Sequence, residues 1–229
     1  MLRRRFITAG LIACTTSLLL TASALSHAKP EEKTILVVGD SLSAEYGIAR
    51  DQGWVARLQK TLDVKAPGHK LINASISGDT TSGGLSRLPA ALEKHQPTYV
   101  IIELGGNDAL RGLPLTMTQS NLTRMTEISQ AKGAKVLLAG MQIPPNYGQE
   151  YAQTFRNLFP NVARQTNAGL IPFFLEGVAQ SMELFQPDGI HPNEQAQPII
   201  ADTVWKYLEP MLNAPHAFKS AASLRPSQP

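Results

Sequence analysis

The chain has 229 residues, of which 43% are hydrophobic and 17% charged, a composition typical of a globular protein. Its formal charge of +3 and its pI near 9.0 raise the question of an anionic partner such as nucleic acid. Three arginines at positions 3–5 account for the whole surplus, because residues 29–229 contain 18 basic and 18 acidic residues. The charge distribution therefore excludes a basic nucleic-acid-binding domain.

Residues 1–28 have the pattern of a secretory signal peptide. The basic residues 3–5 precede an apolar stretch over residues 6–25, and Ser26-His27-Ala28 places small residues before a cleavage site. Cleavage after Ala28 is predicted, with Ala22-Ser23-Ala24 as a second possible site. The pattern indicates a periplasmic or secreted protein of a bacterial cell envelope.

Three other interpretations of this leader stay open. An uncleaved anchor is possible, since about 20 weakly apolar residues can span a bilayer. Leu11-Ile12-Ala13-Cys14 resembles a lipobox, although the apolar run continues past the cysteine. The arginine run resembles a twin-arginine export signal. Cys14 is the single cysteine, so a cleaved chain would contain no disulfide and no cysteine nucleophile.

Downstream of the leader, strand-like and helix-like segments alternate. Strands are predicted at 34–38, 70–74, 99–104, 135–139 and 170–174, and helices at 53–62, 85–95, 116–132, 151–166 and from a cap at Asn193 to about 212. This order predicts an α/β protein with a flavodoxin-like three-layer α/β/α sandwich and a five-stranded parallel sheet, in one domain over 29–212. Residues 213–229 are rich in Ala, Ser and Pro and are predicted to be a disordered tail.

Four polar or glycine-rich motifs lie where the predicted strands end or before the last helix. They are Gly39-Asp40-Ser41, Ser77-Gly78-Asp79, Gly105-Gly106-Asn107-Asp108 and Asp188-Gly189-Ile190-His191-Pro192. Ligands of open α/β sheets bind outside the carboxyl ends of the strands. The motifs are therefore expected to meet in one site.

These motifs contain the groups that acyl transfer requires. Ser41 needs a base to become a nucleophile, and His191 is the one of five histidines that lies in such a loop with an acid three residues earlier. Asp188 can accept from Nδ1 of His191, which leaves Nε2 for Ser41. The N–H groups of Ser41 and Gly78 and the amide of Asn107 are expected to form an oxyanion hole.

Each motif by itself is also consistent with an ordinary turn, and Asp40 and Asp108 could in principle hold a cation. No histidine or carboxylate pair has the spacing of metal ligands, so we expect no metal and no cofactor. The joint occurrence of the four motifs favours a Ser-His-Asp acyl hydrolase.

The four motifs resemble those of the SGNH (GDSL) hydrolase superfamily, whose named residues correspond to Ser41, Gly78, Asn107 and His191. Longer blocks around them, together with Leu110-Arg111-Gly112, Pro145-Asn146-Tyr147-Gly148 and Pro172-Phe173-Phe174, are similar to its periplasmic thioesterase/lysophospholipase branch. The similarity extends over about residues 33–212. It implies hydrolysis of acyl thioesters, aryl and alkyl esters and lysophospholipids.

The resemblance also implies that a mobile loop over residues 108–114 covers the acyl site. Substrate contacts are therefore expected from Asp108, Leu110, Leu113, Tyr147 and Ile190, although the leucines could equally pack under the loop. A small-molecule ester is the expected partner, and nothing suggests an obligate protein partner, so a monomer is expected. Two other functions stay open: a carbohydrate acetylesterase of the same fold, and a non-catalytic lipid-binding protein of the envelope.

Overall fold

The computed structural model describes residues 32–214. The predicted signal peptide and the predicted tail lie outside the described residues, apart from residues 213 and 214, where the last helix ends. Within residues 32–214, none of the helices is long and apolar enough to cross a membrane.

The described chain forms a parallel sheet of five strands in the order β2-β1-β3-β4-β5. The strands are β1 (Lys33–Gly39), β2 (His69–Asn73), β3 (Tyr99–Glu103), β4 (Lys135–Ala139) and β5 (Gly169–Ile171). The helices are α1 (Trp54–Lys65), α2 (Thr81–His95), α3 (Gly106–Leu110), α4 (Leu115–Ala131), α5 (Gln149–Thr166) and α6 (Gln197–Asn213), with short 3₁₀ helices at Pro145–Tyr147 and Met182–Leu184. The predicted five-stranded α/β sandwich is confirmed.

Burial of apolar side chains determines which strands lie in the middle. The residues of β3 are all buried, as are the last five of β1. Helices α1 and α6 pack together, and α2, α4 and α5 pack side by side in a row. Two helical layers therefore cover a sheet that is buried on both faces, as continuous apolar strands require.

Of the predicted boundaries that differ from the structure, three have a clear local cause. Helix α2 begins at Thr81, not Leu85, because the side chain of Thr80 accepts a hydrogen bond from Gly83 N and caps it. Strand β5 ends at Ile171, since Pro172 has no N–H to donate. Asn193 does not cap α6: its Oδ1 accepts from the N–H of Gln195 and Ala196 in the turn before the helix.

Candidate active site

Ser41 lies in the tight turn that follows β1. The turn is closed by Asp40, whose carbonyl accepts from Ala44 N at 2.9 Å and whose Oδ1 accepts from Leu42 N at 3.0 Å. Gly39 is needed here for space, since a Cβ at this position would lie 2.7 Å from Ser43 Oγ and 2.8 Å from Glu103 Oε2. The glycine of the Gly-Asp-Ser motif thus permits close packing beneath the serine.

The segment between β5 and α6 brings His191 to Ser41. His191 Nε2 lies 3.0 Å from Ser41 Oγ, and Nδ1 lies 2.6 Å from Asp188 Oδ2. The other carboxylate oxygen of Asp188 accepts from the N–H groups of His191 and Ile190 at 3.0 and 2.9 Å. These backbone donors, with the His191 ring, lower the pKa of Asp188 to about 2. The structure therefore brings together the three predicted residues in one hydrogen-bonded row.

Asn107 and Gly78 flank Ser41 from the next two strand ends. Asn107 lies in the first turn of α3, and its Nδ2 donates to Asp40 Oδ2 at 3.0 Å. One amide hydrogen of Asn107 is used by this bond, and the other can be donated to a ligand. Gly78 has a φ of 77°, and its carbonyl accepts from Arg111 at 2.8 Å. Ser41 and Asn107 line the cavity described below, whereas Gly78 is not part of its wall.

Two buried carboxyl groups lie directly beneath Ser41. Burial raises the pKa of Asp40 to about 6, although the N–H of Leu42 and the amide of Asn107 favour its ionised form. Burial and the neighbouring Asp40 raise the pKa of Glu103 well above its usual range. Ser41 therefore lies above two carboxyl groups whose ionised forms are disfavoured by burial.

A cavity of about 630 Å³ opens beside Ser41 and His191. Its wall includes three of the predicted substrate residues, Leu110, Tyr147 and Ile190. Most of the remaining side chains are apolar, and they come from the ends of β4 and β5 and from the segment before His191: Met141, Ile143, Pro144, Phe173, Leu175, Ala179, Met182 and Phe185. A cavity of this size and composition suits an apolar ligand with one polar end.

The prediction that Asp108 contacts substrate was wrong, because this residue is fully buried and does not line the cavity. Its carboxylate accepts from Thr81 N at 2.9 Å, from Thr81 Oγ1, and from Thr118 Oγ1 at 3.3 Å. Asp108 thus ties α3 to α2 and α4. Leu113 is half-buried and also lies outside the cavity wall, and its carbonyl accepts from Tyr151 Oη at 3.4 Å.

Most of the apolar wall was missed by sequence reasoning. Met141 and Ile143 directly follow β4, and Phe173 and Leu175 directly follow β5. Met141, Ile143 and Leu175 are apolar residues just past a predicted strand end, which could have indicated a lined cavity, whereas Phe173 was assigned to the predicted fifth strand. Met182 and Phe185 lie in an irregular segment with no periodic pattern, so the sequence contained no comparable signal for them.

An open parallel α/β sheet with a bonded serine, histidine and aspartate beside an apolar cavity is the arrangement of an acyl hydrolase. Residues 37–198 match the GDSL-like Lipase/Acylhydrolase family, and the chain belongs to that family. It is therefore an enzyme that hydrolyses ester bonds.

Relatives and solved structures agree with this membership. The chain is 48% identical over 202 residues to "Esterase TesA" of Pseudomonas aeruginosa, a match that covers 88% of this chain and 98% of that protein. It is 43% identical over 180 residues to "Thioesterase 1/protease 1/lysophospholipase L1" of Escherichia coli, covering 79% and 85%. A crystal structure of TesA matches with a TM-score of 0.77 at 51% identity, covering 78% of this chain and 99% of that one. The SGNH hydrolase fold is thus confirmed.

Proposed function

We propose that this enzyme cleaves carboxylic esters and thioesters through an acyl-enzyme formed on Ser41. The observation that carries the proposal is the row from Ser41 through His191 to Asp188, with distances of 3.0 and 2.6 Å, at the wall of an apolar cavity. A serine hydroxyl becomes nucleophilic when an adjacent base removes its proton.

In the proposed reaction Ser41 Oγ attacks the acyl carbon while its proton moves to Nε2 of His191. Asp188 keeps the imidazole in the tautomer with the proton on Nδ1 and stabilises the imidazolium. Collapse of the tetrahedral intermediate breaks the bond to the alcohol or thiol, which takes the proton from His191. Water then attacks the acyl-enzyme and gives a proton to His191. Collapse of the second tetrahedral intermediate releases the acid, and His191 returns that proton to Ser41 Oγ.

The negative oxygen of the intermediate is assigned to the N–H groups of Ser41 and Gly78 and to the amide of Asn107. The contact of Asn107 with Asp40 supports this role, because it fixes the direction of the second amide hydrogen. Each donor of this kind is typically worth about 10²–10³ in rate.

The substrate class follows from the cavity and from the relatives' names. Apolar side chains form most of the wall, so we assign the cavity to the acyl chain. Leu110, Tyr147 and Ile190 are retained as substrate contacts. The names "esterase" and "thioesterase 1/protease 1/lysophospholipase L1" support aryl and alkyl esters, acyl thioesters and lysophospholipids as candidates.

We further propose that the enzyme is exported to the cell envelope and acts as a monomer after removal of residues 1–28. The basic run, apolar stretch and small residues before position 29 support the export proposal. N-terminal sequencing of the enzyme recovered from the periplasm checks it: the expected first residue is Lys29. A retained Met1 would contradict cleavage.

The nucleophile is tested with Ser41→Ala, and Ser82→Ala serves as the control because Ser82 is exposed on α2. Ser41→Ala is expected to lose hydrolysis of p-nitrophenyl esters at all chain lengths, and mass spectrometry is expected to find a fluorophosphonate adduct on Ser41 of the wild type and of Ser82→Ala. The wild type is expected to prefer medium or long acyl chains.

Three results of these experiments would contradict the proposal. Full activity of pure Ser41→Ala would exclude Ser41 as the nucleophile. A strict preference for acetyl groups would favour a carbohydrate acetylesterase. Binding of fatty acid that Ser41→Ala leaves unchanged, without turnover by the wild type, would favour a lipid-binding protein.

A further inference from the structure

Glu103 is an acidic residue at the end of β3 that the proposed reaction does not use. It has no solvent exposure, and its carboxyl group lies beneath the turn that carries Ser41. Oε2 accepts from Ser43 Oγ at 2.7 Å and from Asp40 N at 3.3 Å. Ser43 Oγ in turn accepts from Trp54 Nε1 at 3.2 Å, so this group joins β3, the turn and α1.

The contacts of the two buried carboxyl groups decide which of them carries the charge. Asp40 has a donor on each oxygen, Leu42 N on Oδ1 and Asn107 Nδ2 on Oδ2, both at 3.0 Å. In the described part of the chain Glu103 Oε1 has no hydrogen-bond partner, although it is buried. An ionised carboxylate with a bare buried oxygen is costly, and two adjacent buried anions are costlier still. The proton therefore belongs on Glu103 and the charge on Asp40.

We propose that Glu103 is a positioning residue that works as a neutral carboxylic acid, holding the turn over residues 39–43 while Asp40 keeps the charge that orients Asn107. This inference rests on the proposed function, since it explains how the amide of Asn107 is oriented as a donor of the oxyanion hole. If Glu103 were ionised, repulsion would drive a proton onto Asp40 and weaken the charge-assisted bond to Asn107.

The pH dependence of this arrangement involves four titratable groups and Arg87, whose guanidinium donates to Gly39 O at 3.2 Å and pairs with Asp79. Glu103 faces Asp40 across the turn. Asp40 also interacts with His191 on the opposite side and with Asp79 in the loop after β2. An anionic Glu103 would raise the pKa of Asp40 further by repulsion, whereas a neutral one would not.

The test compares Glu103→Gln with Glu103→Leu, and Glu127→Gln on the exposed face of α4 is the control. Gln keeps the shape, the neutrality and an accepting oxygen, so kcat/KM is expected within about threefold of wild type, with the acid limb of the pH profile unmoved. Leu removes the acceptor of Ser43 and Asp40 N. It is expected to lower kcat by about 10–100-fold with little change in KM, because Glu103 does not line the cavity.

An infrared measurement keeps the proposal testable if Glu103→Leu does not fold. The wild type at neutral pH is expected to show the carbonyl stretch of a buried protonated carboxyl group, and Glu103→Gln is expected to lack it. Absence of that band from the wild type would overturn the proposal. So would a Glu103→Gln variant that is as inactive as Glu103→Leu, or whose pH profile has its acid limb moved to lower pH by about a unit. A fully active Glu103→Leu would overturn it as well. Loss of labelling on Ser41 in the wild type would instead contradict the proposed function, so the two failures are distinguishable.

Discussion

The Ser41 side and the His191 side of the site, called the nucleophile side and the base side after their proposed roles, are held in place by different physical means. Ser41 and Asn107 follow β1 and β3, neighbouring strands whose carboxyl-terminal ends are buried, and rest on the buried carboxyl groups of Asp40 and Glu103. His191 lies in a loop far beyond β5, where Asp188 and Ile190 are exposed. Packing therefore fixes the nucleophile, whereas the base depends on hydrogen bonds at the surface.

The surface bonds of the base side come from a small number of residues. Asp188 holds the backbone of Ile190 and His191 as well as the imidazole. Gln186 Nε2 donates to Tyr46 O at 2.8 Å and to Pro192 O at 3.2 Å, which connects the Ser41 turn to the His191 loop. The ring of Tyr46 lies 4.4 Å from that of His191, centroid to centroid. Changes here should affect activity more than stability, and changes beneath Ser41 should affect both.

The largest effect is expected for Asp188→Ala. Loss of the carboxylate frees the imidazole tautomer, so kcat should fall on the order of 10²–10⁴-fold. The side chain is 38% exposed, so the free energy of unfolding should change by no more than about 1 kcal/mol. Ester hydrolysis and urea unfolding measure the two quantities, with Glu183→Ala in the same loop as the control. An Asp188→Ala variant that is strongly destabilised but keeps its kcat would contradict the expectation that the His191 side affects activity more than stability.

The two aspartates should also give opposite pH dependences of stability. The native pKa of Asp40, about 6, lies above its unfolded value near 3.9. The native state therefore binds the proton more tightly, and stability falls as pH rises from about 4 to about 6. The native pKa of Asp188, about 2, lies below its unfolded value, so its contribution is present above about pH 4 and is lost as pH falls towards 2.

The wild type should lose up to about 3 kcal/mol of stability between pH 4 and 7 as Asp40 ionises, and Asp40→Asn should lack this loss. The activity of Asp40→Asn should decrease, because Asn107 loses its charged acceptor. Asp188→Asn should lower stability above about pH 4, and its difference from the wild type should disappear as pH falls towards 2. Urea unfolding at a series of pH values between 3 and 8 measures both curves. A common direction for the two variants would mean that burial does not distinguish these carboxyl groups.

The sequence was sufficient for the nucleophile side because its motifs directly follow continuous apolar runs. Ser41 and Asn107 are each adjacent to a strand that could be recognised from composition, and strand ends of a parallel sheet meet at one edge. The spacing of Asp188 and His191 identified the base side as well. Local signals therefore sufficed for Ser41 and Asn107, which follow strand ends, and for the spacing of Asp188 and His191.

The remaining features depend on tertiary packing that no local pattern describes. Asp108 belongs to the same motif as Asn107, but its side chain points into the protein towards Thr81 and Thr118. The motif alone therefore led to the wrong prediction that Asp108 contacts the substrate. Glu103 is an acid within an apolar strand, and only its tertiary contact with Ser43 in the turn above it explains it. The cavity wall at Met182 and Phe185 comes from an irregular segment whose path the sequence does not predict.

The smallest effect is expected for Gln186→Ala, which tests the bonds that join the two sides. One hydrogen bond to the segment after Ser41, at Tyr46 O, and one within the His191 loop, at Pro192 O, are lost, each worth about 1 kcal/mol, so kcat should fall by about tenfold. KM should change little, because the side chain does not line the cavity. Gln186→Glu keeps the size of the side chain but cannot donate to either carbonyl, so its kcat should fall to a similar extent. The control Gln195→Ala, at an exposed position, should have the kcat of the wild type. Steady-state kinetics with the p-nitrophenyl esters measures these values. A fully active Gln186→Glu would show that the loop holds His191 by its backbone alone, and would confine the difference between the two sides to Asp188.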